Sequence, residues 1–412
     1  MRVIYNIAII KVRALMFILK YFNSKIRSFN NERKNVLKNL ENSVSKNDNH
    51  IWIHVASLGE YEQGLPIFKE IKSLYKNHKI ILSFFSSSGY EVRKNNPIGD
   101  LTIYLPLDSP YNAKKFISLL NLKMAFFVKY EFWPNYLQNL KNNNVPTFLL
   151  AGLFRENHWF FKWYGSGFLN LLKSSITHFF VQNKDSKNLL LNHNITNCTL
   201  MGDSRFDRVY SLLKQNNEIA KIKEFVGGKI CFVAGSTWEK DESLMIDSIN
   251  ENNNLAWIIA PHQINEKQIK KFQDRLKCES IIHSNLNQNN FNTAKVLIID
   301  SIGLLTRLYS YSDISYVGGG MSNSGLHNIL EPAIFKNPIL IGKNYLNFPE
   351  AKDLIAEKGA VSVKNAKEFQ SVLNKLIENK RTRIEMGEIN FNYIKSNLGT
   401  TKNVISYLKE RK

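Results

Sequence analysis

Short stretches of this chain combine residue types that can take up a proton with others that can hold an anion. The first is Ile51–Gln63, IWIHVASLGEYEQ, where an apolar run ends at Ser57, turns through Gly59 and presents Glu60. A helical pattern takes over near Pro66, so Glu60 is expected at the C-terminal end of a parallel strand, the edge where open α/β sheets bind ligands. An ionised carboxylate there can accept the proton of a hydroxyl whose oxygen is attacking. The positive end of the following helix favours its charged form. Gly59 lets the backbone turn and a substrate come close. An ordinary helix-start glutamate explains the same letters equally well. In Tyr130–Asn135, YEFWPN, Glu131 has the same placement after the apolar run Met124–Val128. Trp133 and Pro134 there read as a cleft wall or as plain packing. Ser86-Ser87-Ser88-Gly89 follows the run Ile80–Phe85 and suits an anion pocket, or a simple helix cap.

The second half repeats the construction. Ser236-Thr237 follows Ile230–Ala234 and is expected to open a helix, a position suited to phosphate. Pro261-His262 ends the next apolar run, and a lone histidine there is more often structural than catalytic. In Tyr316–Glu331, YVGGGMSNSGLHNILE, Gly318–Gly320 and Gly325 flank a loop entering a helix expected over Leu326–Phe335. Glycines admit a nucleotide close to backbone amides. At helical spacing His327, Asn328 and Glu331 share a side, and Glu331 is placed to accept from ribose hydroxyls. There is no Walker lysine loop, HExxH or GxSxG, and no cluster with metal-ligand spacing.

These edges need sheets to present them. Apolar runs at Ile51–Ser57, Ile80–Phe85, Leu101–Leu105, Met124–Val128, Thr147–Leu150 and His178–Val181 alternate with helical patterns such as Pro66–Tyr75 and Ala113–Leu120. After a polar, helical Val209–Phe225 a second series begins: Ile230–Ala234, Ala256–Ala260, Val296–Asp300, Ile314–Val317 and Pro338–Ile341, with helices at Lys240–Ile249 and Leu304–Ser310. Ala366–Asn379 and Arg383–Lys412 close the chain as helices, and the Asn-rich Asn285–Asn292 reads as a loop. The alternation predicts an α/β protein of two Rossmann-like domains with a two-substrate cleft. The 412 residues suit two domains of about 200 each.

Lys+Arg of 55 against Asp+Glu of 35 gives a net charge of +20, which favours anionic partners, although a Lys-, Asn- and Ile-rich codon bias yields the same excess. No Arg-rich block or aromatic-interleaved motif points to nucleic acid. Cys198, Cys231 and Cys278 are scattered and odd in number, which argues against disulfides and structural zinc. Residues 1–22 are apolar but broken by Lys11, Arg13 and Lys20, and lack the ~20 uncharged residues of a spanning helix. On a helix Arg2, Arg13 and Lys20 fall opposite Ile4, Ile7, Ala14 and Ile18, with Lys11 on the apolar side. That pattern predicts a helix lying in a membrane interface, with the basic segment Lys25–Lys38 beside anionic headgroups. The competing expectation is a helix packed on the protein's own core.

Taken in order, HVASLGEYEQGLP, YLPLDSP, YEFWPN, FRENH, GDSRFD, AGSTWEKDE, GGG…GLHNILEPA and IGKNYLNF resemble the 3-deoxy-D-manno-octulosonic acid (Kdo) transferases of lipopolysaccharide assembly, over nearly the whole chain. The resemblance implies a GT-B type fold: a membrane-anchoring helix over 1–22, an acceptor domain over 23–207, a CMP-sugar domain over 208–390, and a return helix over 391–412. It implies an inverting transfer of Kdo from CMP-Kdo to lipid A precursor at the cytoplasmic face of the cell inner membrane, with no cofactor and no nucleic-acid partner. Glu60 matches the catalytic glutamate of a Ser-x-Gly-Glu motif. Ser57, Gly59, Ser87, Ser88, Glu131 and Arg155 fall on the acceptor side. Arg205, Ser236, Thr237, His262, Gly318, Gly319, Gly325, His327, Asn328, Glu331 and Asn347 fall on the donor side. The chain departs from the pattern at Arg205, usually lysine, at Pro261-His262, which lacks an arginine between, at Trp238, frequently histidine, and at Lys129-Tyr130. Two other functions compete: a GT-B-like transferase or epimerase acting on a UDP-sugar, and a basic membrane scaffold or nucleic-acid binder.

Overall fold

The computed structural model describes residues 2–252, 254–286, 293–322 and 325–411. Six of the Asn-rich loop residues, 287–292, and Asn323 and Ser324 of the glycine loop lie outside them. The chain divides into two compact units, Met1–Arg208 with Leu398–Lys412, and Val209–Asn397. Among the described residues each unit is built on a seven-stranded sheet.

In the first unit the strands are β1 (Asn49–Val55), β2 (His78–Phe84), β3 (Leu101–Tyr104), β4 (Leu122–Val128), β5 (Thr147–Gly152), β6 (His178–Val181) and β7 (Cys198–Leu200). They pair in the order β3-β2-β1-β4-β5-β6-β7, all parallel. Helices cover both faces, so the strands read as continuous apolar runs. Alternation sorts β1: Ile51, Ile53 and Val55 join one core cluster and Trp52 the other. Each of these side chains is fully buried, worth ~1.5–3 kcal/mol apiece.

In the second unit the strands are β8 (Ile230–Thr237), β9 (Leu255–Pro261), β10 (Ser280–Ile282), β11 (Val296–Ile298), β12 (Ile314–Val317), β13 (Ile339–Gly342) and β14 (Ala360–Val363). Their order is β10-β11-β9-β8-β12-β13-β14, again all parallel. In β8, Phe232 and Ala234 face one core, Cys231 and Val233 the other. The strand order reverses between β1 and β4 and between β8 and β12, and beyond the carboxyl ends at such points open sheets bind ligands.

The N-terminal segment is helical: α1 (Arg2–Leu19), α2 (Ser24–Arg33, capped by Asn23) and α3 (Val36–Ser43). Helix α1 holds to the unit by polar contacts, Tyr5 Oη donating to Asp108 at 2.9 Å and Asn135 Nδ2 to Asn6 Oδ1 at 2.9 Å. Its apolar side faces outward, with Val3, Ile4, Ile7, Ile10, Leu15, Phe17 and Ile18 exposed, so that side is not packed on the protein's own core. No described helix is long and apolar enough to cross a membrane.

Several expectations shift. The helix expected from Pro66 starts at Leu58 as α4 (Leu58–Leu74), with Pro66 inside it; burial of Tyr61, Ile67, Phe68 and Ile71 outweighs the lost hydrogen bond. Residues expected to form one helix over Leu326–Phe335 give only Leu330–Ile334. Val209–Phe225 is not one helix: Ser204–Ser211 and Ile222–Val226 are separated. The return to the first unit begins at Leu398 instead of 391. The reason is that Met386, Gly387, Asn390 and Ile394 are buried on the helix Lys380–Ser396, where Asn390 Nδ2 donates to the Asn337 and Gly359 carbonyls within the second unit.

The GDSRFD segment makes the joint for that return. Asp207 accepts from Gly399 N at 2.9 Å and Thr401 N at 2.6 Å, capping the helix Thr400–Lys409 from outside. Val404, Ile405 and Leu408 of that helix complete a core cluster of the first unit. Asp207→Ala should therefore lower unfolding stability by about 1–2 kcal/mol, read by urea denaturation; an unchanged midpoint would remove the capping role.

Candidate active site

In the first unit the edge beyond β1 and β4 is formed by Glu60, Glu131 and their neighbours. Ser57 caps α4, its Oγ accepting from Glu60 N at 3.4 Å. The Glu60 carboxylate reaches back so that Oε2 accepts from Ala56 N at 2.6 Å, while no hydrogen bond to Oε1 is found among the described residues. Glu60 thus does what a helix-start glutamate does with one oxygen and leaves the other available. Burial pushes its pKa up to about 7; the Ala56 N–H and Lys129 pull down, and Glu131 adds to the rise. A carboxylate poised near neutrality is a competent general base. Gly59 is exposed beside it.

Glu131 lies half-buried with Oε2 3.5 Å from Nε2 of His54. His54 is buried on β1, its Nδ1 2.9 Å from Ser83 Oγ, while Trp133 Nε1 donates to its Nε2 at 3.1 Å. Because an indole N–H only donates, Nε2 must accept, which puts the imidazole proton on Nδ1. Trp133 thereby has a polar partner in this network, besides stacking near Phe85 at 4.9 Å. The serine segment divides its work. Ser86 caps α5 (Ser87–Arg93), Ser87 Oγ donates to Glu32 Oε2 at 2.7 Å, and Ser88 is exposed. Arg155 is exposed, and its charge lowers the pKa of Tyr130 against the larger upward effect of burial. Arg205, expected on the donor side, belongs to the first unit and pairs with Asp203 at 2.7 Å.

The second edge lies beyond β8 and β12. Ser236 and Thr237 remain in β8, and the helix starts at Glu239, so the phosphate-suited amides lie further on than expected. Ser236 holds φ +54, an uncommon conformation for a non-glycine residue and one that clusters at functional sites. Thr237 Oγ1 donates to Glu242 Oε1 at 3.0 Å. Gly318 packs so tightly that a Cβ would sit 2.2 Å from the Ser236 carbonyl oxygen. Asp241, buried, accepts from Gly319 N at 3.0 Å, Trp238 N at 3.0 Å and Tyr316 Oη at 2.7 Å, and so fixes the glycine turn to the helix start. Sequence reasoning passed over Asp241; its signal was a carboxylate three residues after the helix-starting Trp238.

His327, Asn328 and Glu331 do not share one helical face. Asn328 Nδ2 donates to Glu331 Oε1 at 3.1 Å. His327 turns away to accept from Trp238 Nε1 at 3.2 Å and to stack on His262, ring centres 4.3 Å apart. His262 in turn stacks on Trp238 at 4.7 Å. Burial, and then His262, lowers the His327 pKa to about 4, so that ring is neutral at physiological pH. Gly325 holds φ +92, and Asn347 is exposed in the turn after β13. A cavity of about 280 Å³ opens beside these residues, lined among others by Thr237, Trp238, Glu242, Pro261 and Arg275. Among the described residues no group of three His, Cys, Asp or Glu side chains is placed to hold a metal ion.

The chain is 26% identical over 388 residues to a bifunctional glycosyltransferase/methyltransferase of Fusobacterium nucleatum, covering 92% of this chain and 59% of that protein, so it spans under two thirds of that relative's length. It is 26% identical over 379 residues to the 3-deoxy-D-manno-octulosonic acid transferase of Haemophilus influenzae, covering 87% and 86%. Among solved structures, UDP-GlcNAc 2-epimerase from Neisseria meningitidis superposes with a TM-score of 0.63 at 15% identity, over 88% of this chain and 100% of that one, which shows the GT-B type fold. Residues 29–208 match the family described as 3-deoxy-D-manno-octulosonic-acid transferase (kdotransferase), the same description that the Haemophilus influenzae relative carries.

Proposed function

We propose that this protein transfers Kdo from CMP-Kdo to a hydroxyl of a lipid A precursor at the cytoplasmic face of the inner membrane, with inversion. The observation that carries the reading is Glu60, at the reversal point of its sheet, with Oε2 anchored, Oε1 available and a pKa of about 7. The acceptor hydroxyl oxygen bonds to the anomeric carbon of Kdo. Its proton passes to Glu60 Oε1, and the bond from that carbon to the CMP phosphate oxygen breaks. The glycine turn held by Asp241, with Ser236, Thr237 and the Asn328–Glu331 pair, supplies the donor-side contacts. The outward apolar side of α1 supports the membrane-surface location.

The test is direct: incubate the protein with labelled Kdo, a CMP-Kdo-generating system and tetra-acylated lipid A precursor, and measure labelled lipid. Labelled product is expected, and CMP, unlike UDP, should protect the protein against thermal unfolding. Protection by UDP alone, with no labelled lipid, would turn the reading toward a UDP-sugar enzyme.

A further inference from the structure

The first unit carries a second cavity, of about 470 Å³, among α1, α2, α3 and the segment 106–115. Cations dominate its wall: Arg13, Arg33, Lys34, Lys38 and Lys115, against one carboxylate, Glu41. Lys115 and Glu41 pair at 2.7 Å. Arg33 is a fixed part of the wall, its side chain only 6% exposed, with donors directed to the carbonyls of Leu105, Phe29 and Phe85. Arg13, Lys34 and Lys38 have no carboxylate partner among the described residues, and all three are exposed. Three unpaired cations converging on one concavity repel each other, and an anion between them relieves that repulsion.

The setting identifies the anion. Along α1 the side toward the unit carries Tyr5, Ile9 and Met16, half-buried, while Ile4, Ile7 and Ile18 point the other way and are exposed, Ile4 by 73%. Arg13 lies on the flank between these sides and lines the cavity. Tyr21 and Phe22, the latter 83% exposed, extend the apolar surface beyond the helix end. Lipid phosphates lie at the boundary between apolar and aqueous layers, the level of a cation site flanking an apolar helix face.

We propose that this cavity holds the phosphate of an anionic membrane lipid headgroup. The proposal rests on the membrane-surface reading above and makes it specific: a built site on α1, α2 and α3, distinct from diffuse attraction by net charge. Helix α2 also joins the cavity to the acceptor edge, because Arg33 lines the cavity and the adjacent Glu32 accepts from Ser87. A lipid seated there orients the unit so that this edge has a fixed relation to the bilayer surface.

The test compares vesicles of phosphatidylcholine with and without phosphatidylglycerol by cosedimentation. It needs no catalysis, so its outcome is independent of whether Kdo is transferred. The variant Arg13→Gln/Lys34→Gln/Lys38→Gln should lose about tenfold or more of the affinity for phosphatidylglycerol vesicles. Its binding to neutral vesicles, which depends on the apolar side of α1, should not change. A charge-matched control, Lys25→Gln/Lys46→Gln/Lys114→Gln, removes exposed lysines of the same region that do not line the cavity; it should lose less than about threefold. Equal losses in the two variants would mean that net charge alone attracts the membrane and would overturn the pocket. No loss in either would do the same. If inorganic phosphate raises the Tm of wild type but not of the cavity variant, and vesicle binding is the same in both, the site takes a soluble anion and the lipid assignment falls. Unaltered Tm values without phosphate verify that both variants fold.

Discussion

Glu60→Gln is expected to slow transfer by about 10²–10⁴ and, above neutral pH, to make the protein more stable. Glutamine keeps an acceptor oxygen for the Ala56 N–H, so the cap on α4 survives. What disappears is the charge. In the folded chain burial raises the Glu60 pKa from 4.5 to about 7. Between those two values the folded state holds a proton that the unfolded state has released, so stability falls as pH rises. The full penalty, about 3 kcal/mol, is present above the folded pKa and absent below the unfolded one. The variant never ionises at this position. It should match wild type near pH 4 and exceed it by up to that amount near pH 8, read by urea denaturation at both pH values.

In the proposed reaction the same charge takes up the proton of the acceptor hydroxyl. Transfer by wild type should fall about tenfold per pH unit below pH ~6, as the base takes up its proton. The variant should lose about 10²–10⁴ of the rate at every pH, with CMP protection intact. A gain in stability together with a loss of rate is what a base held in a desolvated position requires. A merely structural glutamate would give a loss of stability and a normal rate. Near-normal turnover in Glu60→Gln would remove it from catalysis.

Most of this architecture was legible in the chain because strands buried on both faces read as apolar runs, and the ends of β1, β4, β8 and β12 are marked by Ser, Gly or Glu. What escaped has local causes. Cys198–Leu200, Ser280–Ile282 and Ala360–Val363 are strands of three or four residues, too short for a periodic signal. Pro66 looks like the first residue of a helix, yet the capping Ser57 starts α4 earlier, and eight helical residues precede the proline. The spacing His327-Asn328…Glu331 matches one helical turn, but the helix begins only at Leu330; a spacing says nothing about a stack that long-range partners, here Trp238 and His262, assemble. Asp241 was overlooked for the same reason: its bonds to Gly319 and Tyr316 cross more than seventy residues of sequence. The outward apolar side of α1, by contrast, follows from its helical periodicity.

Gly319→Ala should be the most disruptive single methyl group at the donor edge. Gly319 holds φ +92, and an added Cβ would sit 2.0 Å from the carbonyl oxygen of Gly325 and 3.1 Å from the His327 ring. Neither neighbour can simply step aside, since Gly325 itself holds φ +92 and His327 is fixed by Trp238 and His262. Asp241 fixes Gly319 from the other side through the bond to its N–H. The substitution must therefore break the turn or the Asp241 bond. We expect a loss of about 3 kcal/mol or more in stability, with thermal protection by CMP gone. Gly325→Ala has the same positive φ but meets Phe348 at 3.4 Å, an ordinary contact. It should cost only the conformational strain, about 1–2 kcal/mol, and keep most of the nucleotide protection. If the two variants were equally mild, the close approach of Gly319 to Gly325 would not constrain the loop. If Gly319→Ala were unstable yet still protected by CMP, the turn would be a structural joint and the nucleotide would bind elsewhere.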